Sequence, residues 1–298
     1  MQLLKTLGSK LQTIFVLVLY KNYKMIEHLK EKGLNNRSSK ESVQQFLSKE
    51  GVLFLVMNRP EVHNAFNSSQ ILFLTEILEE AETNNDVKVV VLTGAGKNFC
   101  SGGDINYMKE MGNNSFEENK EDALNLANLM LTLNEFPKPT IAQVNGAAFG
   151  GGVGLVCCCD MAFGTPNTKI CLSEVKIGMV PATIAPYVMK AIGLRNSHRL
   201  MLTAEVMKGK NAVACGYLNA ILEEDSFYQE VESIALKVAK NAPQAMETTK
   251  AILLNLANQA IDDGVIDYTA DVIANVRESE EGKEGLSSFL EKRKPNWN

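Results

Sequence analysis

Mainly apolar runs recur along the chain from about Val43. GVLFLVMN (51–58), KVVVLTG (88–94) and TIAQVNG (140–146) are short and rich in β-branched residues, the pattern of strands buried on both faces. Shorter runs at MAFG (161–164) and KICLS (169–173) predict two more strands. Between them the period changes. Ile71, Leu74, Ile77, Leu78 and Ala81 recur at helical spacing. ALNLANLMLTLNEF (123–136) predicts a helix stopped by Pro137 and Pro139, and further helices are predicted over 152–159 and 184–192. From about residue 197 strand signals fade. SFYQEVESIALKVAK (226–240), ETTKAILLNLANQAI (247–261) and the closing segment all read as helix. Buried strands that alternate with helices predict βαβ-type units and an α/β fold class with parallel sheet. The expected organisation is an N-terminal extension and linker at 1–42, an α/β core at 43–196 and a helical region at 197–298. The apolar faces of that last region are expected to pack on a neighbouring subunit.

Composition narrows the function classes. With 298 residues, 45% hydrophobic and 22% charged, the chain can bury a sizeable core. A net charge of −5 gives no electrostatic footprint for nucleic acid. Three of the six cysteines, Cys157, Cys158 and Cys159, are adjacent in an apolar run. They read as small core residues in a reducing compartment, not as a disulfide framework. Residues 1–26 carry Lys5, Lys10, Lys21 and Lys24 and no acid. Their apolar stretch IFVLVLY (14–20) is too short to span a bilayer, and no small-residue cleavage site follows it. The first arginine is Arg37, unlike an Arg-rich transit peptide. The expectation is an extension outside the fold, with Met25 as an alternative start, and a cytoplasmic protein, with the mitochondrial matrix as the alternative.

Several chemistries lack their motifs. GAGKNF (94–99) places Phe99 where a dinucleotide fingerprint needs its third glycine, and no P-loop pattern occurs. His28, His63 and His198 form no metal pair at helical spacing, and there is no C-x-x-C. Neither a metal nor a separate cofactor is expected.

Two glycine-rich segments remain, FCSGGDINYM (99–108) and NGAAFGGGVGL (145–155). Glycine admits positive φ and close ligand approach, and it leaves the backbone N–H unshielded. Two such groups that converge on one oxygen make an oxyanion hole. The second segment also opens a helix, whose N-terminal dipole favours a negative oxygen. Close packing of helix on strand would use the same glycines.

Together, NRPEVHNAF, NFCSGGDI, PKPTIAQVNGAAFGGG and LSEVKIGMVP resemble the crotonase, or enoyl-CoA hydratase/isomerase, superfamily. The resemblance runs from about Val43 to Trp297. It implies a spiral of ββα units with a helical C-terminal oligomerisation region, a homotrimer or dimer of trimers, and acyl-CoA thioesters as substrates, coenzyme A being part of the substrate. It assigns the oxyanion N–H groups to Gly103 and Gly151 and the acid–base role to Glu174. It places the CoA moiety along Ala65, Ser101, Asp104, Ile105 and Asn106, with Lys292 near its phosphates.

Hydratases of this family usually carry a second glutamate two residues after the glycine triplet, where this chain has Gly154. AAFGGGVGLVCCCDMAF and CLSEVKIGMVPATIAPYVMKAIG resemble the bacterial methylglutaconyl-CoA hydratases of leucine and isoprenoid catabolism, which can share that glycine. Some of their relatives bind RNA through a lysine-rich helix. The matching segment here, SSQILFLTEILEEAETNND, has no lysine, so no nucleic-acid partner is expected. No membrane partner is expected either. A lone acid also suffices for Δ3/Δ2-enoyl isomerisation. An isomerase or another crotonase reaction, such as decarboxylation, therefore stands as the alternative, and a CoA-thioester-binding protein as the non-enzymatic one. For hydration, Glu174 is expected to orient water and deliver the proton, aided by a distal carboxylate of the substrate. An acid restored at position 154 would serve a substrate lacking that group, provided that it fits the helix start.

Overall fold

The computed structural model describes residues 25–38 and 40–297. Its larger sheet runs β1 (Val43–Leu47), β2 (Val52–Met57), β3 (Val89–Gly94), β4 (Thr140–Val144), β6 (Met161–Gly164) and β9 (Ala220–Ile221). Only the β1–β2 pair is antiparallel. Every residue of β2, β3 and β4 is buried, which is why their sequences are mainly apolar, with Thr93, Thr140 and Gln143 the buried polar exceptions. A smaller sheet, β5 (Ala147–Phe149), β7 (Lys169–Cys171) and β8 (Met207–Lys208), stands beside it.

Alternate residues of the strands serve two cores. Leu53, Leu55, Val90 and Leu92 face a core built with α2 (Ser68–Thr83), α4 (Phe116–Glu135), α5 (Gly151–Cys158) and α6 (Ala185–Thr203). Val52, Phe54, Val89 and Val91 face a second core built with α1 (residues 25–31) and α8 (Phe227–Val238). The rest of the chain supplies α3 (Ile105–Met111), α7 (Gly209–Cys215), α9 (Pro243–Leu256), α10 (Asp263–Glu278) and α11 (Glu280–Leu290). Buried lysines pin this frame. Lys138 donates to the carbonyls of Ala81 and Asn84 at the end of α2. Lys250 of α9 pairs at 2.8 Å with Asp160, whose Oδ2 also accepts from the Thr140 N–H and hydroxyl.

The structure departs from the sequence reading at the chain ends of the core. Ala220–Ile221 pairs with Phe163 and Gly164, so the main sheet takes a strand from the region expected to be helical. Two residues are too few to leave a periodic signal. Residues 25–38 are not a detached extension. Met25, Ile26 and Leu29 are buried in the second core, and His28 and Lys32 both reach Glu232 of α8. The polar stretch that follows is tied to β1, for the Arg37 N–H donates to Gln45 O and the Gln45 N–H to Asn36 Oδ1. The apolar stretch at 14–20 and the expected alternative start lie outside or at the edge of the described residues; no described helix is long and apolar enough to cross a membrane. Leu29 is fully buried, so Leu29→Ala is expected to cost about 2–5 kcal/mol, the usual range for truncating a core leucine. Urea unfolding measures it; a loss below about 0.5 kcal/mol, ordinary for a surface position, would place α1 outside the cooperative unit.

Candidate active site

Strand register brings the two glycine loops and Glu174 together. A single parallel bridge joins Cys100 to Ala148, with the Phe149 N–H donating to Cys100 O at 2.9 Å. A second joins Phe66 to Gly103: the Phe66 N–H donates to Gly102 O and the Asp104 N–H to Phe66 O. In such a bridge the neighbours of Gly103 make the bonds, and its own N–H points to the other side. Gly151 is the first residue of α5, where a helix has no internal acceptor for the N–H. Neither N–H donates a hydrogen bond among the described residues.

Two glycines make the approach of the loops feasible. Gly102 has φ +91 and lies so near β5 that an added Cβ would stand 3.0 Å from Phe149 O. Gly150 has φ +52, and its N–H donates to Cys171 O at 3.0 Å. That last bond continues the β5–β7 pairing, in which Phe149 faces Cys171. Three residues on, the chain turns into a short 3-10 helix, Glu174–Ile177, closed by Gly178 at φ 75. Glu174 Oε1 therefore comes within 3.3 Å of where a Gly150 Cβ would be. Its Oε2 is buried without a hydrogen-bond partner. Burial raises its carboxyl above the ordinary glutamate range, and a backbone hydrogen bond partly offsets this.

An ion pair clamps the Gly103 loop from behind. Arg59 donates to Asp104 Oδ2 at 2.6 Å and to Ala65 O at 2.8 Å. Asp104 also caps α3 by accepting from the Asn106 N–H at 2.9 Å. That N–H, and after it Arg59, holds the Asp104 carboxyl below its usual range. Ser101 sits in the same loop, its N–H on His63 O. Thus Ala65, Ser101, Gly103, Asp104, Gly151 and Glu174 belong to one group of loops. Ile105 and Asn106 lie exposed at the start of α3. Lys292 follows α11, exposed and at φ 56, and the packing partners of that helix are α9 and α10. Arg59 escaped the sequence reading; its signal was an arginine two residues after a buried strand and an aspartate within the first glycine-rich segment.

Position 154 answers differently from the sequence expectation. An added Cβ there would meet Ile184 Cγ2 well inside 3.0 Å and Met130 Sδ at 3.0 Å. A restored glutamate does not fit. A cavity of about 640 Å³, lined by His63, Lys97, Asn145, Lys169 and Tyr228 among others, opens at the carboxyl ends of β3, β4 and β6. It reaches Ser101 and Phe149 but not Glu174.

The arrangement offers two free N–H donors and one desolvated carboxyl. Because the folded protein holds the Glu174 proton more tightly than the unfolded chain, that contribution to stability is complete below the ordinary glutamate range. It is lost as pH rises through the raised value. Glu174→Gln removes the charge, so it should melt with wild type near pH 4 and above it near pH 8, where the wild type must bury an ion. A lower melting temperature at the higher pH would mean that the ionised carboxylate is not desolvated.

Residues 47–298 match the family model described as Enoyl-CoA hydratase/isomerase. The chain is 32% identical over 251 residues to the short-chain-enoyl-CoA hydratase of Clostridium acetobutylicum, covering 83% of this chain and 95% of the relative. It is 29% identical over 251 residues to the 2,3-dehydroadipyl-CoA hydratase of Escherichia coli, covering 83% and 94%. Among solved structures, an enoyl-CoA hydratase from Shewanella pealeana superposes with a TM-score of 0.83 at 40% identity, covering 86% of this chain and 96% of that one.

Proposed function

Since this chain belongs to the enoyl-CoA hydratase/isomerase family, we propose that it adds water across a 2-enoyl-CoA thioester and that its preferred acyl chain is branched and carboxylated, as in 3-methylglutaconyl-CoA. The observation that carries the reading is the Glu174 carboxyl, with one buried oxygen unpartnered, beside the free N–H groups of Gly103 and Gly151. In the first step ionised Glu174 takes a proton from water as the water oxygen bonds to Cβ. The π electrons shift through Cα onto the thioester oxygen, where the two N–H groups stabilise the enolate. Glu174 then gives the proton to Cα, the carbonyl re-forms, and nothing is oxidised or reduced. A raised proton affinity suits a group that both takes and returns a proton near neutral pH.

Gly154 favours a carboxylated chain, because a single protein acid leaves the attacking water one anchor short. The distal carboxylate of the substrate supplies the second. The E. coli relative, named for a dehydroadipyl thioester, supports such a substrate class. The lone acid also suits Δ3/Δ2 isomerisation, where one base moves one proton. Incubation with 3-methylglutaconyl-CoA, crotonyl-CoA and a 3-enoyl-CoA separates these readings. Hydration of the first, much faster than of the second, is the expected result. Turnover of the 3-enoyl thioester alone would make the protein an isomerase, and binding without turnover would make it a thioester-binding protein. The exposed apolar residues Leu253, Ile261, Phe289 and Leu290 on and beside α9 and α11 are read as contacts of a homotrimer or dimer of trimers.

A further inference from the structure

Gly154 lies three residues after Gly151, so the two share one face of α5, and Gly150 is the N-cap residue just before it. An added Cβ would meet Glu174 at position 150, Phe66 at 151, and Ile184 with Met130 at 154. Position 154 is one helical turn, about 5 Å, from the Gly151 amide. The two obstacles at 154 are not alike. Met130 presents the far end of a flexible thioether, which can move aside. Ile184 is β-branched, which restricts its χ1, and even its Cβ stands 3.0 Å from the added atom. It is buried, and it is the N-cap residue of α6, which packs on both α5 and the Glu174 turn.

We infer that Ile184 is a specificity-determining residue of this site: it holds position 154 to glycine, keeps a second acid off the Glu174 side of α5, and so commits the site to enoyl thioesters that bring their own carboxylate. The inference rests on the hydration reading above. An acid at 154 would serve an uncharged acyl chain by giving water its second anchor, and would repel a carboxylated one. The glycine at 154 and the isoleucine at 184 are then two halves of one device, and changing either alone does not convert the site.

The test is a paired exchange. Glycine is well accepted at a helix N-cap, but Ile184 is buried in the first core, so Ile184→Gly is itself expected to lower the melting temperature. Ile184→Gly/Gly154→Glu should raise kcat for crotonyl-CoA about tenfold or more over wild type and lower kcat/KM for 3-methylglutaconyl-CoA by a similar factor, whereas Gly154→Glu alone should gain nothing; these are factors ordinary for one altered pocket contact. A folded double variant whose crotonyl-CoA kcat stays within about twofold of wild type overturns the role of Ile184. A melting cycle covers variants that fold poorly. Gly154→Ala should lower the melting temperature sharply in the wild-type background and far less in the Ile184→Gly background; equal drops in both would also overturn it. That cycle needs no substrate, so a wild-type protein that hydrates neither thioester counts against the hydration reading and is told apart from failure of the Ile184 lock.

Discussion

Glu174→Gln is expected to fold, to bind acyl-CoA thioesters, and to lose about 10²–10⁴ in kcat, the usual span for removing a general acid–base group. That is about 3–5 kcal/mol of barrier. The amide keeps the shape of the side chain but can neither take the proton from water nor deliver it to Cα. No second carboxylate can stand in from the same face of α5, because Ile184 fills the place. Binding should survive because the proposed oxyanion donors are the backbone N–H groups of Gly103 and Gly151, which this exchange leaves in place. Stopped-flow or steady-state hydration assays beside a direct thioester-binding measurement decide it. A variant that keeps more than about a tenth of wild-type kcat would remove Glu174 from the chemistry.

Gly151→Val should be nearly as damaging, for a different reason. Any Cβ at 151 runs into the ring of Phe66 well inside 3.0 Å, so the first turn of α5 must shift and the amide with it. Losing one oxyanion donor costs about 3–4 kcal/mol of barrier. Gly103 supplies the contrast. An added Cβ there meets only the flexible Met108 side chain, at 3.4 Å and beyond. Gly103→Ala should therefore keep its melting temperature and lose far less turnover than Gly151→Val. The paired measurement is kcat beside thermal melting for both variants. A well-folded Gly151→Val enzyme with near-normal kcat would take that amide out of the oxyanion hole.

The parts of the fold that could be read in the sequence are those that tertiary structure buries uniformly. β2, β3 and β4 are buried on both faces and so are written as apolar runs. β1 was missed because VQQFL is half exposed, with Gln44 and Gln45 in its middle. α3 was missed because none of its residues is buried, which leaves its sequence free of a helical apolar stripe. The candidate site was legible as far as it consists of backbone. Gly102 and Gly150 betray the loops because only glycine takes their positive φ cheaply, and Glu174 stands in a motif at a fixed distance from them. The absence of an acid at 154 could be seen in the chain; its cause could not. Thirty residues separate Gly154 from Ile184, and only the packing of α6 on α5 reveals that one excludes a side chain on the other.

The docking of α1 on α8 bears on how the chain emerges from the ribosome. His28 and Glu232 are 204 positions apart. At about 5–20 residues per second, synthesis of that interval takes about 10–40 s. For all of that time Met25, Ile26 and Leu29 are made and the α8 half of their niche, Phe227, Val231 and Ala235, is not. Until α8 is made, the apolar face of α1 stands without the side chains that seal it in the finished fold. Closure of the second core therefore cannot precede synthesis of α8, however fast the strands of the first core pair.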